Sequence, residues 1–234
     1  MEIRHLKFEQ LPSTQEWVKE NISEYLGESL LVSTTKQLSG KGRHGNSWDQ
    51  LGKSLAFSFV LTPCEILTLT PLEIGCLITN FFKNKGADLV LKWPNDLLIL
   101  EESEVKKAGG ILCHFLDNKN LLVGIGLNLE VNIPSKIEGS KFPAGALSID
   151  LSSYQNFSHE LPNEIYQYIL NNRLSSCDIR SNWTKNCFHL NKKVQIIDGQ
   201  SSLSGVFKGV GENGEALIEN QDGLKKIISG SLWF

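Results

Sequence analysis

The segment QLSGKGRHGNSW, residues 37–48, constrains the fold of this 234-residue chain more than any other. Its centre, Gly40, Lys41, Gly42, Arg43, His44 and Gly45, fits the spacing G-x-G-x-x-G. In a dinucleotide-binding unit that spacing opens directly into a helix, whose N-terminus receives the pyrophosphate. Here Asn46, Ser47 and Trp48 follow, then Gly52 and a run with Leu55, Phe57, Phe59 and Leu61 at every second position. Period-2 alternation marks a strand. The segment therefore reads as a loop leading into a strand and not as a Rossmann turn. Its glycines permit close backbone approach, Lys41 and Arg43 offer charge-assisted hydrogen bonds, and no acid appears before Asp49. Such a loop is suited to an anion. A merely structural turn explains the glycines but leaves the two cations without acids to pair with.

The surrounding pattern mixes both periodicities. Residues 2–8 and 29–35 read as strands, with a helix between them from Ser13, where Ser13 to Glu16 fits a capping box. A second S/T-x-x-E box at Thr70 to Glu73, with Pro71 in the first turn, predicts a helix with Ile74, Leu77, Ile78, Phe81 and Phe82 as its buried stripe, ending near Gly86. Strands are expected at 89–93, 97–100, 110–116 and 121–127, with a turn at 117–120. Residues 135–146 read as a mobile loop, and helices are expected near 162–171 and 176–187. From about Lys192 short apolar runs alternate with Gly, Asn and Asp turns, the pattern of a small all-β barrel. A boundary between 188 and 192 divides the chain into domains 1–188 and 189–234.

Composition narrows the class of function. Lys plus Arg number 23 against 26 Asp plus Glu, a net charge of -3, so any anion site is local and a general nucleic-acid or anionic-membrane binder is disfavoured. Five cysteines, an odd number without a CxxC pair, point to reduced thiols and a cytoplasmic protein. No signal peptide, membrane-length apolar run or zinc-ligand spacing is present.

Two further segments carry polar residues at strand ends. KWPND at 92–96 reads either as a plain turn or as a site where Lys92 neutralises phosphate and Asn95 and Asp96 help hold hydrated Mg²⁺. KKAGGIL at 106–112 reads either as a solvated lysine pair or as a lysine facing a closely packed ligand beside Gly109 and Gly110. Gly124 to Asn128 reads as a tight strand end or as a polar ligand contact through Asn128. No Ser/His/Asp constellation can be assembled from the spacing, and none is needed for a reaction that joins two bound substrates.

Together these segments resemble the biotin–protein ligases. That family's G-R-G-R-x-G-x-x-W loop corresponds to residues 40–48, its K-W-P-N-D to 92–96, its K-x-x-G-I-L to 107–112, its G-x-x-x-N to 124–128, and its S-T-N to Ser13, Thr14 and Gln15. The resemblance is strong over residues 11–128 and loose for the C-terminal segment. It implies an α+β fold: a mixed-sheet catalytic domain followed by an SH3-like β-barrel. It also implies formation of biotinyl-5′-AMP from biotin and MgATP, then transfer to a lysine of a biotin carboxyl carrier protein. By resemblance Lys107 and Arg43 are catalytic. Ser13, Thr14, Gln15, Gln37, Lys41, Gly42, Arg43, Lys107 and Gly110 surround biotin, and Trp48, Lys92, Asn95 and Asn128 face ATP. Residues 37–48 and 135–146 are expected to close over the ligands. Gln15 stands where Asn is usual, and Lys41 where Arg is usual, losing the bidentate fork. Other readings are a lipoate or octanoyl transferase, whose R-R-x-S-G-G-G-x-V-x-H loop is not found, and a non-catalytic acyl-binding module. The form expected is one without the N-terminal DNA-binding domain, a monomer or homodimer with no DNA or membrane partner.

Overall fold

In a computed structural model the chain is described over residues 2–102, 104–117, 119–132, 142–199 and 201–234, the side chain of His44 excepted. The N-terminal part holds β1 (Ile3–Leu11), α1 (Thr14–Asn21), β2 (Ser29–Gln37), β3 (Gly40–Lys41), β4 (Ser47–Trp48) and β5 (Ser54–Leu61). It continues with α2 (Thr70–Asn84), β6 (Val90–Lys92), β7 (Asp96–Glu101), β8 (Glu104–Phe115), β9 (Leu121–Asn128), α3 (Phe157–Asn171) and α4 (Ser176–Asn186). The chain closes with β10 (Lys193–Asp198), β11 (Ser201–Val210), β12 (Ala216–Asn220), β13 (Gly223–Ile227) and β14 (Ser231–Trp233). Seven strands form one sheet in the order β1-β2-β5-β9-β8-β7-β6. The β1–β2 pair, joined through α1, is parallel and the others are antiparallel, so the sheet is mixed.

Alternation divides this sheet into two faces. Leu31, Phe57, Phe59, Val123 and Ile125 pack with Ile74, Leu77, Ile78 and Phe82 of α2 and with Leu161, Ile165 and Tyr166 of α3. Leu30, Val32, Val60 and Leu122 face the other way, against Val18 of α1. Further along that second face the cross-strand pairs shrink from Val60 and Leu122 to Ser58 and Gly124, then to Ala56 and Gly126. The face thus begins as helix-covered core and ends as a floor of small residues.

The last five strands form an antiparallel sheet in the order β13-β12-β11-β10-β14, as the C-terminal turn-and-strand pattern predicts. Its inward Val194, Ile196, Phe207, Ile218 and Leu232 belong to the same buried cluster as Trp183 of α4 and the α2 core. The Phe188 amide donates to the Leu91 carbonyl at 3.0 Å, tying the start of this region to β6.

Three local expectations need correction or qualification. Ser13 caps α1 by accepting from the Glu16 amide at 3.4 Å, but Glu16 turns to Lys19 at 3.0 Å, so only half of the box forms. The Thr70 box does not form: Thr70 is already helical, and its hydroxyl accepts from the Cys64 amide at 2.9 Å. Helix α3 starts at Phe157, not near Pro162, which lies inside it. Burial of Leu161, Ile165 and Tyr166 holds that helix across the proline, tertiary packing overriding local preference. Asn118 of the 117–120 turn and most of the 135–146 loop lie outside the described residues.

Glu73 instead serves a long-range contact. Fully buried, it accepts from Arg173 Nε at 2.9 Å and Nη2 at 2.8 Å, and from the Leu174 amide at 2.8 Å. This bidentate pair fastens the α3–α4 junction to α2. Arg173→Met should leave Glu73 buried without its cation and cost about 3 kcal/mol in urea unfolding. A loss below about 1 kcal/mol would show that water replaces the arginine without penalty.

Candidate active site

The small-residue floor opens a cavity over the middle of β8 and the second half of β9, roofed by the β3–β4 hairpin and by β14. Close approach sets the identity of two floor positions. A Cβ on Gly124 would lie 2.5 Å from Gln15 Nε2, and one on Gly126 would overlap the Trp48 ring. Glycine at these positions lets Gln15 and Trp48 lie flat on the strand. Gln15 is fixed by donating to the Leu112 carbonyl at 2.6 Å. Beside it, Gln37 Oε1 accepts from the Thr14 amide at 3.0 Å and from the Thr14 hydroxyl at 3.3 Å, and that hydroxyl meets Ser58 Oγ at 2.8 Å. The hairpin itself is tied down: the Leu38 and Ser39 amides donate to the Leu11 and Pro12 carbonyls, and the Gly42 amide to Asn46.

The opposite wall is ionic. Asp96, at the start of β7, receives Lys92 Nζ at 2.8 Å on one oxygen and Lys107 Nζ at 2.7 Å on the other. All three side chains are between 11% and 17% exposed, so solvent screens them little. Burial alone would raise the Asp96 pKa, but the two ammonium groups prevail and bring it down to about 2. Lys107 reaches this position through a β-bulge. The β7–β8 register passes from Leu97 opposite Gly109 to Leu98 opposite Lys107, skipping Ala108. The bulge turns Lys107 to the cavity side, while Lys106 pairs with Glu101 and Glu104 at the surface. Backbone bonds from the Lys107 amide to Pro143 and from the Gly145 amide to Lys107 fix the strand from outside.

Between these walls Arg43 donates to the Gly230 carbonyl at 3.3 Å and, at the limiting distance of 3.5 Å, to Asn95 Oδ1. Asn95 in turn donates to the Ile111 carbonyl at 2.7 Å, next to the cis Trp93-Pro94 peptide. Burial lowers the Arg43 pKa, opposed by Asp96 and Asp198. The cavity lining thus holds Lys41, Arg43, Lys92 and Lys107 against one carboxylate, Asp96, among the described residues. This excess of positive charge over a pleated floor suits a ligand with several anionic oxygens. The described residues contain no cluster of three His, Cys, Asp or Glu able to hold a metal ion.

The residues singled out from the sequence gather here: Ser13, Thr14, Gln15, Gln37, Lys41, Gly42, Arg43, Trp48, Lys92, Asn95, Asp96, Lys107 and Gly110 all line the cavity. Asn128 does not. It is buried at the end of β9, where Nδ2 donates to the Gly145 carbonyl at 3.1 Å and Oδ1 has no partner among the described residues. Sequence reasoning missed Ile111, Leu112, Phe142 and the β14 residues Ser231, Leu232 and Trp233. Ile111 and Leu112 end the K-x-x-G-I-L segment without having been read as site residues, whereas no local motif marks the others, which the chain path and the return of the C-terminal strand bring in.

The charge bridge has a measurable acid limb. Asp96 has its pKa lowered on folding, so it stabilises the fold above pH 4 and loses that contribution as the pH falls through about 2. A drop from 3.8 to about 2 corresponds to on the order of 2 kcal/mol. Asp96→Asn should therefore be less stable than the wild type at pH 7, and the difference should shrink as the pH approaches 2. Urea unfolding at pH 7, 4 and 2.5 checks this, and a pH-independent difference would contradict it.

Comparison with known proteins follows the same outline. The model of the biotin/lipoate A/B protein ligase family matches residues 7–132, more than half of the chain. The bifunctional ligase/repressor BirA of Escherichia coli is 25% identical over 235 residues, covering 94% of this chain and 70% of that protein. The biotin–[acetyl-CoA-carboxylase] ligase of Paracoccus denitrificans is 20% identical over 232 residues, covering 89% of this chain and 92% of that one. Among solved structures, the biotin protein ligase of Aquifex aeolicus in complex with biotin and ATP superposes with a TM-score of 0.78 at 28% identity, covering 97% of both chains.

Proposed function

Because the chain belongs to the biotin/lipoate A/B protein ligase family, we propose that it is a biotin–protein ligase that uses MgATP to couple biotin to a lysine of a carrier protein. In the first step a biotin carboxylate oxygen bonds to the α-phosphorus of ATP and pyrophosphate leaves. In the second, the carrier lysine amine bonds to the acyl carbon of that mixed anhydride and AMP leaves. The single observation that most supports this reading is the Lys92–Asp96–Lys107 bridge beside Arg43 in one cavity.

The first step drives a carboxylate against a polyphosphate, so the chain must offset repulsion between anions. A cation about 4 Å from an anion contributes roughly 1 kcal/mol in water and about 4 kcal/mol at an effective dielectric near 20. Lys92 and Lys107 are largely out of water, which puts them nearer the second regime. Each ammonium has three donors, so each can stay on Asp96 and still donate to the ligand. Asp96 is thus a positioning residue that aims both cations. Arg43 has a planar donor fork suited to the phosphate or carboxylate where charge develops. Mg²⁺ enters with the triphosphate, supplying charge neutralisation. Both Asp96 oxygens are engaged by lysines, so among the residues of this wall the Asn95 amide oxygen would be the neutral group nearest to hand for such an ion. Thr14, Gln15 and Gln37 offer amide and hydroxyl groups for the biotin ring system over the Gly124 floor, and Trp48 offers an aromatic face and a free N–H towards the nucleotide.

We infer that the carrier is a folded biotin carboxyl carrier domain and that residues 189–234 form a small second domain. None of the five cysteines is paired, which supports a cytoplasmic location, and among the described residues no helix is long and apolar enough to cross a membrane. The chain acts as a monomer or homodimer in this reading.

The direct test is AMP formation with ATP and a carrier domain, given biotin and, in parallel, lipoate. Biotin-dependent AMP supports the assignment, and lipoate-dependent AMP instead would move the chain to the lipoate branch of its family. In this assay Lys107→Ala should lose at least 100-fold in rate, since removing one preorganised donor costs about 3 kcal/mol or more. Lys106→Ala, whose ammonium pairs at the surface, should retain near wild-type rate. Equal activity of the two variants would reject the role given to Lys107.

The net charge of -3 and the use of the 36–44 cations in the ligand loop support a ligase without repressor activity. A mobility-shift assay at low salt with biotin, ATP and biotin-gene promoter DNA should show no specific band. A specific shift that persists at 200 mM salt would overturn this.

A further inference from the structure

The ligand loop is held at its neck by a residue outside the cavity. On one side β2 stays paired with β1 as far as Leu11 and Gln37, but on the other its pairing with β5 ends at Thr34 and Ala56. The Thr35 carbonyl and the Gln37 amide therefore lie beyond that ladder, where backbone polar groups need another partner. The side chain of Gln50 supplies one for each. Its Oε1 accepts from the Gln37 amide at 2.8 Å, and its Nε2 donates to the Thr35 carbonyl at 3.4 Å. The carboxamide thus bonds on either side of Lys36, as a residue of a further strand would.

Gln50 can do this because the chain behind it is fixed. The Leu51 carbonyl accepts from the Asn132 amide at 2.9 Å, and the Lys53 carbonyl from the Leu129 and Glu130 amides at 2.8 and 2.9 Å. A Cβ on Gly52 would overlap the Glu130 carbonyl, so this approach requires glycine. In front of Gln50 the loop carries Gln37, Lys41, Gly42, Arg43 and Trp48, all of which line the cavity, whereas Gln50 does not.

We propose that Gln50 is a positioning residue whose carboxamide clasps the two ends of the 37–48 loop and so keeps Arg43 and Lys41 closed over the acyl-adenylate until a carrier lysine arrives. The proposal rests on the ligase reading. Trapped intermediate escapes only when the loop opens, so its escape rate follows the open fraction. Loss of the clasp raises that fraction, whereas saturating substrates refill the closed form and restore the chemistry.

Gln50→Ala removes the clasp without touching the cavity. Two partly exposed hydrogen bonds are lost, which should raise the open fraction about fivefold. Trypsin cleavage after Lys41 and Arg43 in the unliganded protein should quicken by about that factor. With labelled biotin and ATP but no carrier, labelled biotinyl-adenylate should leave the variant about fivefold faster in a chase with unlabelled substrates. Its rate of formation at saturating biotin and ATP should change by less than about twofold, and the melting temperature should not change. Equal cleavage and equal release in the two proteins would overturn the proposal. Slower formation with unchanged release would also overturn it, because it would place Gln50 in the chemical step. A lowered melting temperature without faster cleavage in the loop would reduce Gln50 to a merely structural residue and overturn it too. If the wild type forms no adenylate with biotin, the ligase reading fails; if it does and the variant retains the intermediate as well as the wild type, only the role of Gln50 fails.

Discussion

One carboxylate shared by two buried ammonium groups organises the functional end of this molecule. Asp96 meets Lys92 and Lys107 on separate oxygens. These two lysines come from different strands, β6 and β8, and without a common acceptor they would repel each other across the cavity. A carboxylate with a pKa near 2 stays charged at any ordinary pH, so the bridge persists whether or not an anion arrives. The arrangement is electrostatic preorganisation in concrete form. The cations are aimed before the reaction begins, and desolvating them is already offset by folding. The strained or exposed alternative, lysines recruited from solvent by the ligand, would lose side-chain entropy at the moment of binding.

The bridge in turn depends on a one-residue irregularity. Strand β8 carries two adjacent lysines, and strict alternation would place them on opposite faces. The extra residue at Ala108 puts Lys107 on the same side as Gly110, which lines the cavity. Ala108 itself is buried in the main core, so the bulge is anchored by packing as well as by hydrogen bonds to residues 143 and 145. Removing the bulge would shift the face of every residue before it in the strand, exchanging Lys107 for Lys106. The same logic holds on β5 and β9. The small residues that make the floor occupy the register positions that, nearer α1, hold Val60 and Leu122. One strand pair therefore supplies core at one end and binding surface at the other.

Much of this was legible in the residues. The period-2 run of Leu55 to Leu61 and the 3.6-period stripe of α2 both form as read, the large residues of β5 on the face packed against α2 and α3 although the strand is buried on both sides. The GKGRHG loop, KWPND and Lys107 were visible because they cluster glycine, charge and amide groups where nothing local needs them. The features that escaped are long-range. Thr70 and Glu73 looked like a capping box, yet Glu73 is claimed by Arg173, a hundred residues later, because a bidentate buried pair outweighs a helix cap. Trp233 carries no local signal either, since its position follows from the pairing of β14 with β10. Asn128 looked like a ligand group because it is polar at a strand end, but its amide bonds the Gly145 carbonyl under the residues that fix Lys107. Sequence shows which residues are chemically out of place, whereas only the register shows which face they occupy.

The overall charge of the chain gives the local cation cluster its meaning. A protein of net charge -3 repels anions at long range, yet among the described residues four cations face one carboxylate in this cavity. At physiological ionic strength the Debye length is about 8 Å, so the repulsive background is screened before a ligand reaches the mouth, while the buried cations inside are not. The site therefore attracts anions only at contact range, where shape also acts. That selects a ligand able to enter between the Gly124–Gly126 floor and the hairpin. It also explains why water must be kept out: the same lysines in bulk solvent would lose most of their pull on the reacting groups, and a mixed anhydride exposed there would hydrolyse. The continuous hydrophobic cluster running from α2 through Trp183 to Leu232 holds β14 against the catalytic sheet. Packing far from the reacting atoms thereby sets the dielectric in which the lysines and Arg43 act.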